Sequence, residues 1–308
     1  MSRWSGVLAP IVTPFLDDAL DEPGLQRNIA WLMRTPLTGL VVLGSNGEAP
    51  HLDDAEADRV IAVARDSVSG DRVFIAGTGR ESTRATIAAT RRAAALGADA
   101  ALVRTPSFFT GEMTSDVFVK HYTAVADVSP IPVFLYNVTM FTGVNLLPDA
   151  VERLASHPNI VGMKESGGDM GKIAECIART PDEFVMYAGS AATYFHALCA
   201  GCSGAVLAVA NVVPDLCVEI WRLVRDHRID DARRLQQRLA PLARAVGTAH
   251  GVPGLKAALD ALGYAGGAPR PPLLPASTAA VTEIRAHLLA LGLGPVAAEA
   301  LQPDRQPA

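Results

Sequence analysis

The chain has 308 residues, enough for one large domain or two ordinary ones, with 49% apolar, 19% charged and 6% aromatic side chains. That balance excludes a disordered chain, and a net charge of -5 without any block of like charges argues against nucleic-acid or anionic-membrane partners. The longest apolar stretch, Gly204 to Val213, falls short of the roughly 18 residues of a membrane span, and four cysteines fit a reducing cytoplasm rather than a disulfide scaffold.

At the N-terminus a single Arg3 precedes an apolar run, but Pro10 and Pro14 interrupt it and no small-residue cleavage site follows. Val7 to Val12 therefore reads as a first strand. β-Prone runs recur at Gly39 to Leu43, Val73 to Ala76, Ala100 to Val103, Val133 to Tyr136, Ile160 to Met163, Val185 to Ala188 and Gly204 to Leu207. Their starts lie 19 to 34 residues apart, and most intervals carry a helical pattern such as Asp53 to Val68, Ser82 to Leu96 or Ser115 to Ala126. The runs (VVL, VFIA, AALV, VFLY) are continuously apolar, as parallel strands covered by helices on both sides of the chain must be. Eight βα units predict a closed (β/α)8 TIM barrel. A doubly wound open sheet is the rival, but the first strand runs into IVTPF rather than a Gly-rich dinucleotide turn.

After Leu223 the strand rhythm stops. Helical patterns follow at Asp230 to Val246, Leu255 to Leu262 and Thr278 to Leu291, with a Pro/Gly connector from Gly263 to Pro275. The expected organisation is a catalytic barrel over 1-226, a C-terminal helical region over 227-293 and a frayed tail over 294-308.

Barrels of this kind place their chemistry at the C-terminal ends of the strands. After the second strand, Gly44-Ser45-Asn46-Gly47-Glu48 is a turn whose N–H groups can converge on an anion, or a plain βα turn. Asp53 with Glu56 reads as a capping box for the next helix. The fifth strand ends in Tyr136 and Asn137, and the sixth runs into Lys164. Only four lysines stand against 23 arginines, and Lys164 alone follows an apolar strand into the barrel mouth. A desolvated amine there is suited to attack a carbonyl; the alternative is a rim ion pair with Glu165. For Tyr136 the alternative is a core aromatic. Lys120 and Lys172 fall on polar helical stretches and Lys256 in the C-terminal helices. Cys199 and Cys202 form a C-x-x-C that reads as buried helix-end thiols, and the seven histidines show no ligand spacing, so no metal is expected.

These motifs together resemble the pyruvate-dependent class I aldolases and lyases of the dihydrodipicolinate synthase and N-acetylneuraminate lyase family. The resemblance spans Val7 to Leu274 and is carried by GSNGE (Gly44 to Glu48), Tyr136-Asn137 with Thr142-Gly143, GMKES (Gly162 to Ser166), AGS (Ala188 to Ser190) and GAVLAVANVVP (Gly204 to Pro214). Within the family the strongest likeness is to the 4-hydroxy-2-oxoglutarate aldolases, through HPNIVGMKESGGD and GVPGLK. It implies a homotetramer without cofactor, acting on a 2-oxo acid and an aldehyde through a covalent imine on Lys164. It further implies that Tyr136 transfers protons, Ser45 relays them, Asn46 replaces a threonine neighbour, the backbone of Ser45 to Gly47 holds the pyruvyl carboxylate, and Val206 faces the imine. Ser166 and Phe141 complete the expected substrate contacts.

Two departures stand out. Synthases of dihydrodipicolinate carry, five residues after the tyrosine, an arginine for the aldehyde's carboxylate, and here that position is Phe141. Their second tyrosine, lent by a neighbouring subunit, corresponds to a segment that here reads Thr105-Pro106-Ser107-Phe108-Phe109. The expected function is cleavage of a 4-hydroxy-2-oxo acid to pyruvate and an aldehyde, or the reverse addition; the alternatives are a dihydrodipicolinate synthase-like condensation, a related dehydratase, or a non-catalytic binding barrel. Arg80 and Arg104, just beyond strands three and four, are candidates for a second substrate carboxylate or for rim ion pairs.

Overall fold

The computed structural model describes residues 2-294. Its barrel strands are β1 (Gly6–Pro10), β2 (Gly39–Val42), β3 (Val73–Gly77), β4 (Ala100–Arg104), β5 (Val133–Asn137), β6 (Ile160–Glu165), β7 (Val185–Ala188) and β8 (Gly204–Val206), and a short antiparallel pair, Phe15–Leu16 with Ala19–Leu20, stands apart from them. All barrel strands pair in parallel, each with its neighbours in sequence, and β8 closes on β1 through Gly6 opposite Gly204 and Leu8 opposite Val206. The fold is the expected TIM barrel with helices outside it and helices after it.

Both strand faces are apolar for a geometric reason. Alternate residues point to opposite faces of the sheet. Leu8, Val41, Ile75, Leu102, Phe134 and Tyr187 form one cluster, inside the barrel. Ala9, Val42, Ala76, Val103, Leu135 and Met186 join the larger cluster between barrel and helices. The expected box caps the helix Asp54–Ser67: the Asp53 carboxylate accepts from the Glu56 N–H at 2.8 Å while Glu56 accepts from the Asp53 N–H at 3.1 Å.

Strands four to six run one or two residues beyond their apolar runs, to Arg104, Asn137 and Glu165. Ladder hydrogen bonds come from the backbone, so polar side chains do not end a strand. Lys164 thus lies within β6 rather than after it. Beyond the barrel come helices Ile229–Arg244, Gly251–Ala261 and Thr278–Ala290, with a π-helical turn Ala245–Ala249 between the first two. The middle helix starts at Gly251 instead of Leu255, since a proline in the first helical turn (Pro253) costs no helical hydrogen bond. The expected tail falls, except for Gly294, outside the described residues. Among the described residues no helix is long and apolar enough to cross a membrane.

Candidate active site

The turn after β2 is a strained one. Leu43 (φ 55°) and Glu48 (φ 54°), which bracket it, both adopt left-handed backbone, at a cost of roughly 1 to 2 kcal/mol for a residue with a side chain. Tertiary bonds hold it in place. The Glu48 carboxylate is buried, with Lys256 Nζ 2.5 Å from Oε1 and the Arg270 N–H donating to Oε2 at 2.8 Å. Burial shifts the Lys256 ammonium downward, and Glu48 opposes that shift. The Thr13 hydroxyl donates to the Gly47 carbonyl at 2.7 Å. Between these anchors Ser45–Gly47 forms one 3-10 turn, and the N–H groups of Ser45 and Asn46 that open it have no acceptor within it.

Across the barrel interior, β5 and β6 pair with Tyr136 opposite Lys164. Register partners share a face, so the phenol and the amine both point inward. Lys164 Nζ lies 4.3 Å from the centroid of the Tyr136 ring, and the Tyr136 hydroxyl shares a 3.1 Å hydrogen bond with Ser45 Oγ. Both side chains are buried. Among the described residues no carboxylate pairs with Lys164.

Glu165 is one residue on and therefore faces the helices. There it accepts from Lys172 Nζ at 2.6 Å and from Asn137 Nδ2 at 3.0 and 3.1 Å, while Lys172 also donates to Asn145 Oδ1 at 2.6 Å. The alternative of a Lys164–Glu165 pair is overturned by strand parity. Lys172, placed from sequence on a polar helical stretch, is buried.

Lys164 and Tyr136 open onto a cavity of about 330 Å³ that Ser45, Asn46, Ser166, Val206 and Phe141 also line. Of the residues expected there, Gly47 alone does not line it. The Ser166 hydroxyl is buried without a hydrogen-bond partner among the described residues. Any side chain at Gly189 would collide with that hydroxyl and with the Glu165 carbonyl, which explains the glycine in AGS. Phe141 is 61% exposed at the mouth, and Phe108 and Phe109 are exposed as well. The far wall comes from the C-terminal helices: Ala240, Ala243, Arg244, Gly247 and Thr248. No sequence pattern pointed to these.

Arg80 and Arg104 already hold carboxylates, Asp54 at 3.1 Å and Glu81 at 2.7 Å, so both are rim ion pairs. All four cysteines are free. Cys199 is exposed, contrary to the expectation, because it ends the short helix Tyr194–Cys199; Cys202 is buried, which pushes its thiol up to about 12.

Residues 3–291 match the dihydrodipicolinate synthetase family. The 4-hydroxy-tetrahydrodipicolinate synthase of Methanopyrus kandleri is 35% identical over 293 residues, 94% of this chain and 97% of that protein. The enzyme of that name from Methanothrix thermoacetophila is 40% identical over 274 residues, 88% and 92% of the two chains. Among solved structures, dihydrodipicolinate synthase from Thermotoga maritima superposes with a TM-score of 0.91 at 30% identity, covering 94% of this chain and 99% of its own. The chloride-inhibited synthase of Acinetobacter baumannii, complexed with pyruvate, gives 0.89 at 31% identity with the same coverage of 94% and 99%. These relatives carry the synthase name, not that of the hydroxyoxoglutarate aldolases toward which the motifs leaned. The chain belongs to the dihydrodipicolinate synthetase family, and it is a pyruvate-dependent, Schiff-base-forming lyase.

Proposed function

We propose that this enzyme forms its imine on Lys164 and makes or breaks the C3–C4 bond of a 4-hydroxy-2-oxo acid. One observation carries the reading: a buried amine with no carboxylate in contact, held against the Tyr136 ring at the base of a cavity. The amine adds to the 2-oxo carbon and water leaves, giving a protonated imine that accepts the electron pair of the breaking C3–C4 bond. Tyr136 takes the proton of the 4-hydroxyl, Ser45 Oγ relays it, and the aldehyde departs. The enamine is then protonated at C3 and hydrolysed, which releases pyruvate and frees Lys164. Meanwhile the substrate's 1-carboxylate sits on the N–H groups that open the Ser45–Gly47 turn, where peptide dipoles converge. Val206 and Ser166 flank the imine.

The names of the relatives support a second reading, condensation to 4-hydroxy-tetrahydrodipicolinate with aspartate semialdehyde as acceptor. What speaks against the synthase reading is this chain's own Phe141, Phe108 and Phe109, which offer neither the cation nor the hydroxyl that the resemblance assigns to those positions in the synthases. Comparing kcat/KM for aspartate semialdehyde with kcat/KM for cleavage of 4-hydroxy-2-oxoglutarate decides between the two. Borohydride reduction in the presence of pyruvate tests the chemistry common to both. One reduced pyruvyl group on Lys164 is expected; a label on Lys120, Lys172 or Lys256, or none, overturns the assignment.

Residues 1-226 serve in this reading as the catalytic barrel and 227-293 as its cover. A cytoplasmic homotetramer is part of the proposal. Free thiols support the compartment, and the exposed Phe108–Phe109 pair, with ring centroids 5.1 Å apart, supports association. Sedimentation of wild type and Phe109→Asp tests the latter, with a smaller species expected for the variant.

A further inference from the structure

The cavity above Lys164 has an unusual charge balance. Among the described residues its lining contains two charged side chains, Lys164 and Arg244, and no Asp or Glu. The imine accounts for Lys164 under the proposed function, which leaves Arg244. Other arginines around the barrel mouth are engaged: Arg80 and Arg92 with Asp54, Arg104 with Glu81, and Arg270 with Glu56 and Asp18. The Arg244 side chain, exposed where the cavity opens, makes no ion pair or hydrogen bond to any described residue.

Its position has a local cause. The helix Ile229–Arg244 ends at Arg244 and passes into the π-helical turn Ala245–Ala249, closed by the His250 N–H bonding back five residues to the Ala245 carbonyl at 3.2 Å. Such turns widen a helix and re-aim the side chains beside them. Here Arg244, Gly247 and Thr248 face the cavity together. The wall between them and the strand ends is small and apolar, with Ala191, Ala192, Ala208 and Val209. Beside Ser190 it leaves room for a short carbon chain to pass.

We infer that Arg244 binds an anionic terminus on the aldehyde half of the substrate, so that the second anion is met by the C-terminal helices rather than at position 141. This rests on the aldol reading above and deepens it: the acceptor carries a carboxylate or a phosphate, either of which a guanidinium grips through paired N–H donors. A cavity of about 330 Å³ lies at the small end of ligand sites, which favours a short chain between the two ends.

The test is the specificity of Arg244→Met and Arg244→Lys. Pyruvate is condensed in turn with succinic semialdehyde, glyceraldehyde 3-phosphate and butanal, and kcat/KM is measured for each. Loss of a hydrogen bond to a charged group predicts that the ratio of the preferred anionic acceptor over butanal falls about 10- to 100-fold in Arg244→Met, with Arg244→Lys in between. The arm that loses more names the terminus. An unchanged ratio in Arg244→Met, or a wild type that prefers butanal, overturns the inference. Where succinic semialdehyde is the preferred acceptor, glutarate binding followed by calorimetry needs no turnover: it should weaken by the same factor, and unchanged affinity is then equally fatal. Borohydride labelling of Lys164 in both variants separates the two levels. A wild type that takes no label rejects the aldol reading, while normal labelling with an unaltered ratio rejects only the role of Arg244.

Discussion

Lys164 and Lys172 are eight residues apart, both buried, and built for opposite ends. Lys172 sits between barrel and helix, its ammonium 2.6 Å from Glu165 and 2.6 Å from Asn145. Lys164 faces the barrel interior, where among the described residues it meets an aromatic ring and no carboxylate. Lys256, the third buried lysine, follows Lys172 in pairing with a buried acid, Glu48. Burial therefore does not distinguish a reactive amine from a structural one. A carboxylate in contact holds the amine in an ion pair and away from a substrate, and the alternation of strand residues decides which lysine receives one.

The sharpest break of that comparison exchanges the two fates. Lys164→Met should abolish both the borohydride adduct and turnover while leaving the fold intact, because it removes an unpaired buried amine. Lys172→Met should still label at Lys164, yet lose about 3 to 5 kcal/mol of stability because Glu165 is left buried and uncompensated. Labelling followed by mass spectrometry and a urea melt read the two outcomes. A Lys164→Met protein that still forms the adduct would dissolve the contrast.

Next in size is Tyr136→Phe, which keeps the ring beside Lys164 and deletes the hydroxyl that bonds Ser45 at 3.1 Å. Adduct formation should survive while turnover falls by about 10² to 10⁴, the usual worth of a positioned acid or base. Single-turnover kinetics with pyruvate separates the steps. Turnover near wild type would mean that another group moves the proton.

The barrel was legible because eight apolar runs recurred with helical spacers, and Lys164 because a lysine is rare in this chain and stood at a strand end. What escaped was every pairing that depends on the third dimension. Glu165 looked like the neighbour of Lys164 in sequence, but successive strand residues point to opposite faces, and its partner Lys172 comes from the following helix. Lys256 and Glu48 are 208 positions apart; the turn GSNGE gives no hint that its glutamate is buried. Arg270 lay in a stretch read as a stiff connector, yet it bonds Glu56 and Asp18 and so fastens the C-terminal helices to the barrel. Arg244 and Thr248 were invisible for another reason: a π-helical turn has no sequence pattern by which their cavity-facing positions could be read.

Lys256→Met sharpens the structural half of the comparison. It leaves Glu48 buried without its cation in a left-handed turn, so the expected loss is again about 3 to 5 kcal/mol. Unlike Lys172→Met, it also loosens the turn that positions Ser45, so KM for pyruvate should rise in the same variant. A stability loss without any change in KM would detach Glu48 from the site. Calorimetric melting and steady-state kinetics measure the two effects.

His121 supplies the smallest and most graded case, a buried base that has a hydroxyl for a partner in place of a carboxylate. Its Nδ1 shares a 2.9 Å hydrogen bond with the Thr83 hydroxyl, and its Nε2 is buried without a partner among the described residues. Burial disfavours the imidazolium and brings the ring down from 6.5 to about 4, a shift that the Glu81 charge only partly opposes. Between those two values the unfolded chain binds more protons than the folded one, so stability rises with pH across the window. It is complete above pH 6.5 and declines as pH falls toward 4. At pH 5 the deficit is about 1.5 pH units, or about 2 kcal/mol. His121→Gln keeps a polar group beside Thr83 but cannot titrate, so between pH 7.5 and 5 its unfolding free energy should fall by about 2 kcal/mol less than that of wild type. Parallel curves for the two proteins would show that the imidazolium is accommodated in the fold, and that a carboxylate partner is not what separates charged from neutral bases in this core.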